Sequence, residues 1–148
     1  MFPNAKSSEL LSVLATIDSS AQAPGALITT WVSVKNHHTL MALIAIGVFG
    51  ASATVDAKLR QAVDASGTSA KDITGKAVTQ LLAAGGNNRQ VIINMKTGDL
   101  DTEGGFAFVG LTVTVGTAAT QTNALLVGTN PRFADASTFN QTGVAQIV

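Results

Sequence analysis

Residues 54–63 read Thr-Val-Asp-Ala-Lys-Leu-Arg-Gln-Ala-Val, and this stretch decides the fold. Val55, Ala57, Leu59 and Val63 fall on one parity, and Asp56, Lys58 and Arg60 on the other. Successive side chains of a strand point to opposite faces, so the pattern is that of an antiparallel strand with one dry and one wet side. On the C-terminal side, Asp64 to Thr68 (Asp-Ala-Ser-Gly-Thr) is turn chemistry. On the N-terminal side, Leu40 to Phe49 is apolar on both parities and ends at Gly50. This run is too short for the roughly 20 residues of a membrane-spanning helix. It predicts a central strand covered on both sides, or one whose outer face meets a partner.

Further out, the same period recurs. Leu27 to Val34 (Leu-Ile-Thr-Thr-Trp-Val-Ser-Val) has strong β propensity and follows a Pro24-Gly25 turn. Trp31 is expected to anchor the core, and Asn36, His37 and His38 to interrupt the chain before the apolar run. Ser12 to Gln22 fits a strand or an arm, while Leu10, Leu11 and Leu14 also fit one helical turn. Ile73, Val78 and Leu81-Leu82 predict one or two short strands around Gly75. Gly85-Gly86-Asn87-Asn88 is a turn, and Arg89 to Lys96 a strand with Val91, Ile93 and Met95 on one face. In the segment after residue 105, Phe106 and Phe108 share one parity and Val109, Leu111, Val113 and Val115 the other. A strand that changes phase must kink to keep one face buried, which predicts a β-bulge near Gly110. Asn123 to Val127 is the last strand. These short strands with turns between them predict an all-β, two-sheet antiparallel β-sandwich, jelly-roll-like, in one domain over residues 1–148. Residues 1–8 and 129–148 are expected as extended N- and C-terminal arms.

Composition narrows the function classes. The chain has 148 residues, no cysteine and no tyrosine, and one tryptophan. Disulfide frameworks, thiolate metal sites and cysteine nucleophiles are excluded at once. Nine Lys and Arg balance nine Asp and Glu, at only 12% charged residues. Nucleic-acid binding needs a basic footprint, which this balance does not supply. A surface so poor in charge is suited to meeting protein rather than water. The first residues lack a basic stretch followed by an apolar core, so the expectation is a soluble protein that stays in the compartment where it is made.

Candidate chemistry thins out on inspection. His37 and His38 are adjacent in a strand and so point apart, which disfavours a shared metal. Asp99, Asp101 and Glu103, followed by Gly104, match the first half of a calcium loop. The bidentate Glu that the loop needs at its twelfth position falls on Gly110, so a solvated turn is expected and cation binding is left open. Gly75-Lys76 fails as a phosphate loop, with Ala70 where the first glycine belongs and Ala77 after the lysine. Asn140-Gln141-Thr142 is a formal glycosylation acceptor without a secretory signal. No Gly-x-Ser-x-Gly elbow is present. The expectations are therefore no catalytic residue, no metal or cofactor, no small-molecule substrate, no nucleic acid and no membrane.

Two stretches carry a family resemblance: Ala51–Leu82, ASATVDAKLRQAVDASGTSAKDITGKAVTQLL, and Asn123–Ser137, NALLVGTNPRFADAS. Together they resemble small structural proteins of tailed bacteriophages and prophages, several of which are capsid cement or decoration proteins. The resemblance implies a non-enzymatic subunit, made in the host cytoplasm, that binds the outer face of the major capsid protein lattice and ties neighbouring capsid proteins together. It implies no active-site residues. Self-association as a homo-dimer or homo-trimer is a further expectation. A tail, tail-terminator or neck component is the alternative within the virion. A carbohydrate-binding β-sandwich module is the alternative outside it, and needs exposed aromatics that this chain largely lacks.

Overall fold

The computed structural model describes residues 4–148. The main elements are α1 (Ser7–Leu10), β1 (Leu11–Gln22), β2 (Gly25–Ile28), β3 (Val32–Ser33), β4 (His37–Ile46) and β5 (Thr54–Ala62). They continue with β6 (Lys71–Ala77), β7 (Leu81–Leu82), β8 (Arg89–Lys96), β9 (Phe108–Gly116) and β10 (Thr120–Pro131). One sheet has the order β1-β10-β4-β8; the other runs β2-β9-β5-β6, with β3 also on β9 and β7 also on β5. All pairings are antiparallel.

Counting β2 with β3 and β6 with β7 as interrupted strands leaves eight. The first then pairs with the last, the second with the seventh, the third with the sixth and the fourth with the fifth. This is one long hairpin rolled up on itself, the jelly-roll arrangement of two packed sheets. The fold is thus an all-β antiparallel sandwich, as the alternation in residues 54–63 predicts.

The core lies between the sheets. Leu40, Ala42, Ile44 and Ile46 of β4 and Val55, Ala57 and Leu59 of β5 face it, with Val109, Leu111, Val113 and Val115 of β9 and Ala124 and Leu126 of β10. Each buried Val, Leu or Ile contributes about 1.5–3 kcal/mol, so these residues dominate the stability.

Several expectations are corrected. Leu27 to Val34 is not one strand. β2 pairs Ile28 with Thr112 and β3 pairs Val32 with Val109, so residues 29–31 hold one residue more than β9 does opposite them. Thr29 bridges the break: its N–H donates to Leu111 O at 3.0 Å, and its Oγ1 accepts from Leu111 N at 3.0 Å. The bulge expected in β9 near Gly110 therefore sits on the facing strand, while β9 keeps an unbroken register with β5 from Thr54↔Gly116 to Ala62↔Phe108. The phase change needs no kink, because Phe106 precedes the strand and lies under Lys71, whose Nζ is 4.2 Å from the ring centroid.

Trp31 is not a core anchor either. It is half-buried and lies against Gly110, where an added Cβ would meet the indole at 3.0 Å, and against Gly67, which has φ +82°. The histidines do not precede a strand; they begin β4, which stops at Ile46, short of Phe49. β10 extends well beyond Asn123–Val127, because the polar Thr120 and Thr122 are buried and hydrogen-bonded to Ala118 O and Ala45 O.

The ends have a definite course. Residues 7–10 form the helical turn α1, and Leu11 starts β1; residues 1–3 of the expected N-terminal arm lie outside the described residues. Residues 129–131 complete β10, and the chain then returns along β1 through a 3-10 turn at Ala136–Phe139.

Candidate functional site

The residues singled out for chemistry are drawn into structural work. His37 is buried, with Nε2 2.8 Å from Ser12 Oγ and the Phe139 ring edge-on at 5.4 Å. Burial holds its pKa below the usual imidazole value. His38 is exposed on the other face, so the two do not converge.

Asp99 accepts from Lys96 N and lies 2.9 Å from Lys76 Nζ; the backbone N–H first, then the ammonium, lowers its pKa. Asp101 takes Lys71 Nζ at 2.6 Å and Gly104 N at 2.9 Å, with the same consequence. Glu103 is exposed. The acidic loop is thus laced to lysines of β6, and no three His, Asp or Glu side chains among the described residues are grouped to hold a metal ion. Lys76 is itself the partner of Asp99, and Gly75 turns the chain at φ +73°. Asn140 Oδ1 accepts from Val13 N at 2.8 Å.

The outer faces of the two sheets differ in kind. On the sheet containing β5 and β6, Lys58 and Arg60 approach Asp72 at 2.7 and 3.2 Å, and Asp56 accepts from Gln80 at 2.8 Å. Lysine hydrogen bonding, then its charge, lowers the Asp72 pKa.

The face of β1-β10-β4-β8 has no such pairs at its centre. Antiparallel partners share a face, and the register aligns Thr16, Leu125, Leu43 and Ile92 in one row across the four strands. The neighbouring rows are Val13, Val127, Met41 and Asn94, and Asn123, Ala45 and Gln90. None of these side chains carries charge. Ile92 is 55% exposed and Leu125 36% exposed, with Leu43 and Met41 half-buried between them. An apolar cluster rimmed by Asn, Gln and Thr on a flat, four-stranded support has the make-up of a protein-binding surface.

The sequence shows one strand of this face in the two-sided apolarity of Leu40 to Phe49. Only register brings Leu125 and Ile92 beside Leu43, and register is not read from any one segment.

The sequence matches no family model and no curated protein. Among solved structures, the chain is similar to one of Broad Bean Stain Virus, with a TM-score of 0.49, 11% identity and 97% of each chain covered. It is also similar to a chain of the Cowpea Mosaic Virus empty virus-like particle, with a TM-score of 0.48, 10% identity and coverage of 89% and 86%. A third likeness is the C-terminal family 22 carbohydrate-binding module of Clostridium thermocellum Xyn10B, with a TM-score of 0.35, 17% identity and coverage of 93% and 92%. The jelly-roll order of this chain stands on its own hydrogen-bonded ladders.

Proposed function

We propose that this chain is a structural virion subunit, a cement or decoration protein. It binds the outer surface of a major capsid protein lattice through the uncharged face of its four-stranded sheet. The observation that carries the reading is the row Leu125-Leu43-Ile92, apolar and solvent-facing on a rigid sandwich. Desolvating such a face removes no charge from water, so its burial against protein is favourable at low cost. The ion-paired face then remains outward, where its carboxylates and ammonium groups keep their hydration.

The resemblance of Ala51–Leu82 and Asn123–Ser137 to tailed-phage structural proteins supports the same role. The subunit works as a clamp, without catalysis, cofactor or nucleic acid, and repetition over a lattice supplies avidity. Dimers or trimers of the chain fit this role.

The test is the copy number and radial position of the protein in purified particles, by quantitative gel and electron-microscopic reconstruction. Hundreds of copies on the outer shell, seated on the four-stranded sheet, are expected. About six or twelve copies at a neck or tail ring would replace the cement role by a connector role. Absence from particles would overturn the virion reading and bring forward the sugar-binding alternative.

A further inference from the structure

The chain after β10 folds back under strain. Arg132 is fixed to the body: its N–H donates to Asn36 O at 2.9 Å, its Nε to His37 O at 3.1 Å, and a terminal guanidinium nitrogen to Thr97 Oγ1 at 3.1 Å. The next three residues, Phe133, Ala134 and Asp135, are exposed. Ala134 holds φ +65°, in the left-handed region where its Cβ crowds the following carbonyl.

Beyond this hinge the chain is tightly seated. Ala136 is fully buried and Phe139 packs on His37. Asn140 Oδ1 accepts from Val13 N at 2.8 Å, and Gln141 N donates to Val13 O at 2.8 Å. β1 is an edge of its sheet, and at Val13 this segment supplies the acceptor and donor that a further strand would. Residues 136–148 contain no Lys, Arg, Asp, Glu or His.

We propose that residues 136–141 exchange between copies of this chain, so that the segment of one molecule occupies the β1 edge of a second. The receiving surface is the Val13 edge together with His37. The exchanged form makes the same contacts as the closed form, so the balance rests on concentration and on the hinge. The closed hinge holds Ala134 in a left-handed conformation, and an open hinge releases it to an extended one. The segment carries no charge to repel its copy. Where neighbouring molecules are held side by side, the effective concentration of the exchanging segment reaches the millimolar range, on the order of 1 mM, for a short tether. The proposal does not depend on the virion role, because its reporter is the isolated protein.

The chain lacks cysteine, which makes a disulfide test clean. Full-length Val13→Cys and Gln141→Cys proteins are mixed at high concentration and mildly oxidised. The expected product is a mixed Val13→Cys/Gln141→Cys dimer, in excess of either same-variant dimer and rising with concentration. A mixed dimer no more abundant than random collision gives would overturn the proposal. The double variant must also close, within or between chains; failure to close would show that the seat on β1 is absent and would overturn it equally.

Ala134 gives an independent reading by sedimentation. Ala134→Gly, which relaxes the closed hinge, is expected to lower the dimer association constant by at least about fivefold. Ala134→Pro, whose ring fixes φ near −65°, closes off the left-handed hinge and is expected to raise it. Shifts in the same direction, or none, would overturn the proposal. Neither result changes the copy number expected on particles.

Discussion

The two outer faces of this sandwich rest on the same kind of support and are built for different surroundings. On one, Lys58 and Arg60 both lie within an ion pair with Asp72. On the other, the central row reads Thr16, Leu125, Leu43 and Ile92 without a charge. Surface ion pairs contribute little to folding, roughly 0–1 kcal/mol each, so the charged face is not there for stability. Its groups are locally neutralised yet hydrated, which keeps that side of the molecule in water. The uncharged face keeps exposed apolar side chains that a free molecule gains nothing from. On this contrast rests the proposed attachment, with the uncharged side toward the lattice and the ion-paired side toward solvent.

The largest expected effect comes from putting charge on the uncharged face. Leu43→Lys places an ammonium at the centre of the row, and its loss should reach about 100-fold or more in affinity for particles lacking the protein. The lysine stem lies along the sheet, so thermal stability should change by only about 1 kcal/mol or less. Lys58→Glu on the opposite face is the matched control and should leave attachment unchanged. Quantitative co-sedimentation with particles measures both, and equal losses would erase the distinction between the faces.

An intermediate effect separates the sheets by pH. His37, in β4, has a pKa held below its ordinary 6.5 by burial. Between the folded value and 6.5 the unfolded chain binds more protons than the folded one, so stability rises with pH through that window and falls on acidification. The carboxylates of Asp72, in β6, and Asp101, in the loop after β8, have values below 3.8, so their contribution is present above 3.8 and is lost only as pH falls through the folded values. Thermal melts should thus show a first loss of stability below about pH 6.5 that His37→Gln removes, and a second loss in strong acid that it leaves. A melting temperature flat from neutrality down to strong acid would contradict the assignment to His37.

The smallest effect belongs to the charged face itself. Asp72 is 55% exposed and holds both Lys58 and Arg60. Asp72→Asn should cost about 1 kcal/mol or less, shrinking further with added salt. A larger, salt-independent loss by denaturant titration would show that this face is structural after all.

Much of the architecture was legible from period alone. Residues 54–63 alternate, Val91, Ile93 and Met95 share one face of residues 89–96, and both strands lie where these patterns put them. The strand over 27–34 was misread because Thr29 supports its break with a side-chain hydroxyl, and a hydroxyl in a β-prone run leaves no mark on hydrophobic period. Trp31 was misplaced for a related reason: a large aromatic in a strand defaults to the core, and only the glycines at 67 and 110 make room for it outside. β10 was underestimated because buried Thr120 and Thr122 read as polar. One strand of the candidate face was visible, since Leu40 to Phe49 has no wet side. The rest of it depends on pairing between residues far apart in sequence, and pairing is settled by the whole sandwich. The fold-back of residues 136–141 was hidden for a similar reason, because Asn140 substitutes for a strand without resembling one.

The pairing of the first strand with the last also sets an order in time. β10 lies between β1 and β4, so the four-stranded sheet has a gap until residues 120–131 have left the ribosome. Non-local pairing of this kind is slow and comes late in folding. Leu125 and Val127, two of the apolar residues on the uncharged face, arrive with that final strand. A nascent chain that has not yet delivered residues 120–131 therefore lacks part of that surface, and the surface comes into being in one late step rather than strand by strand.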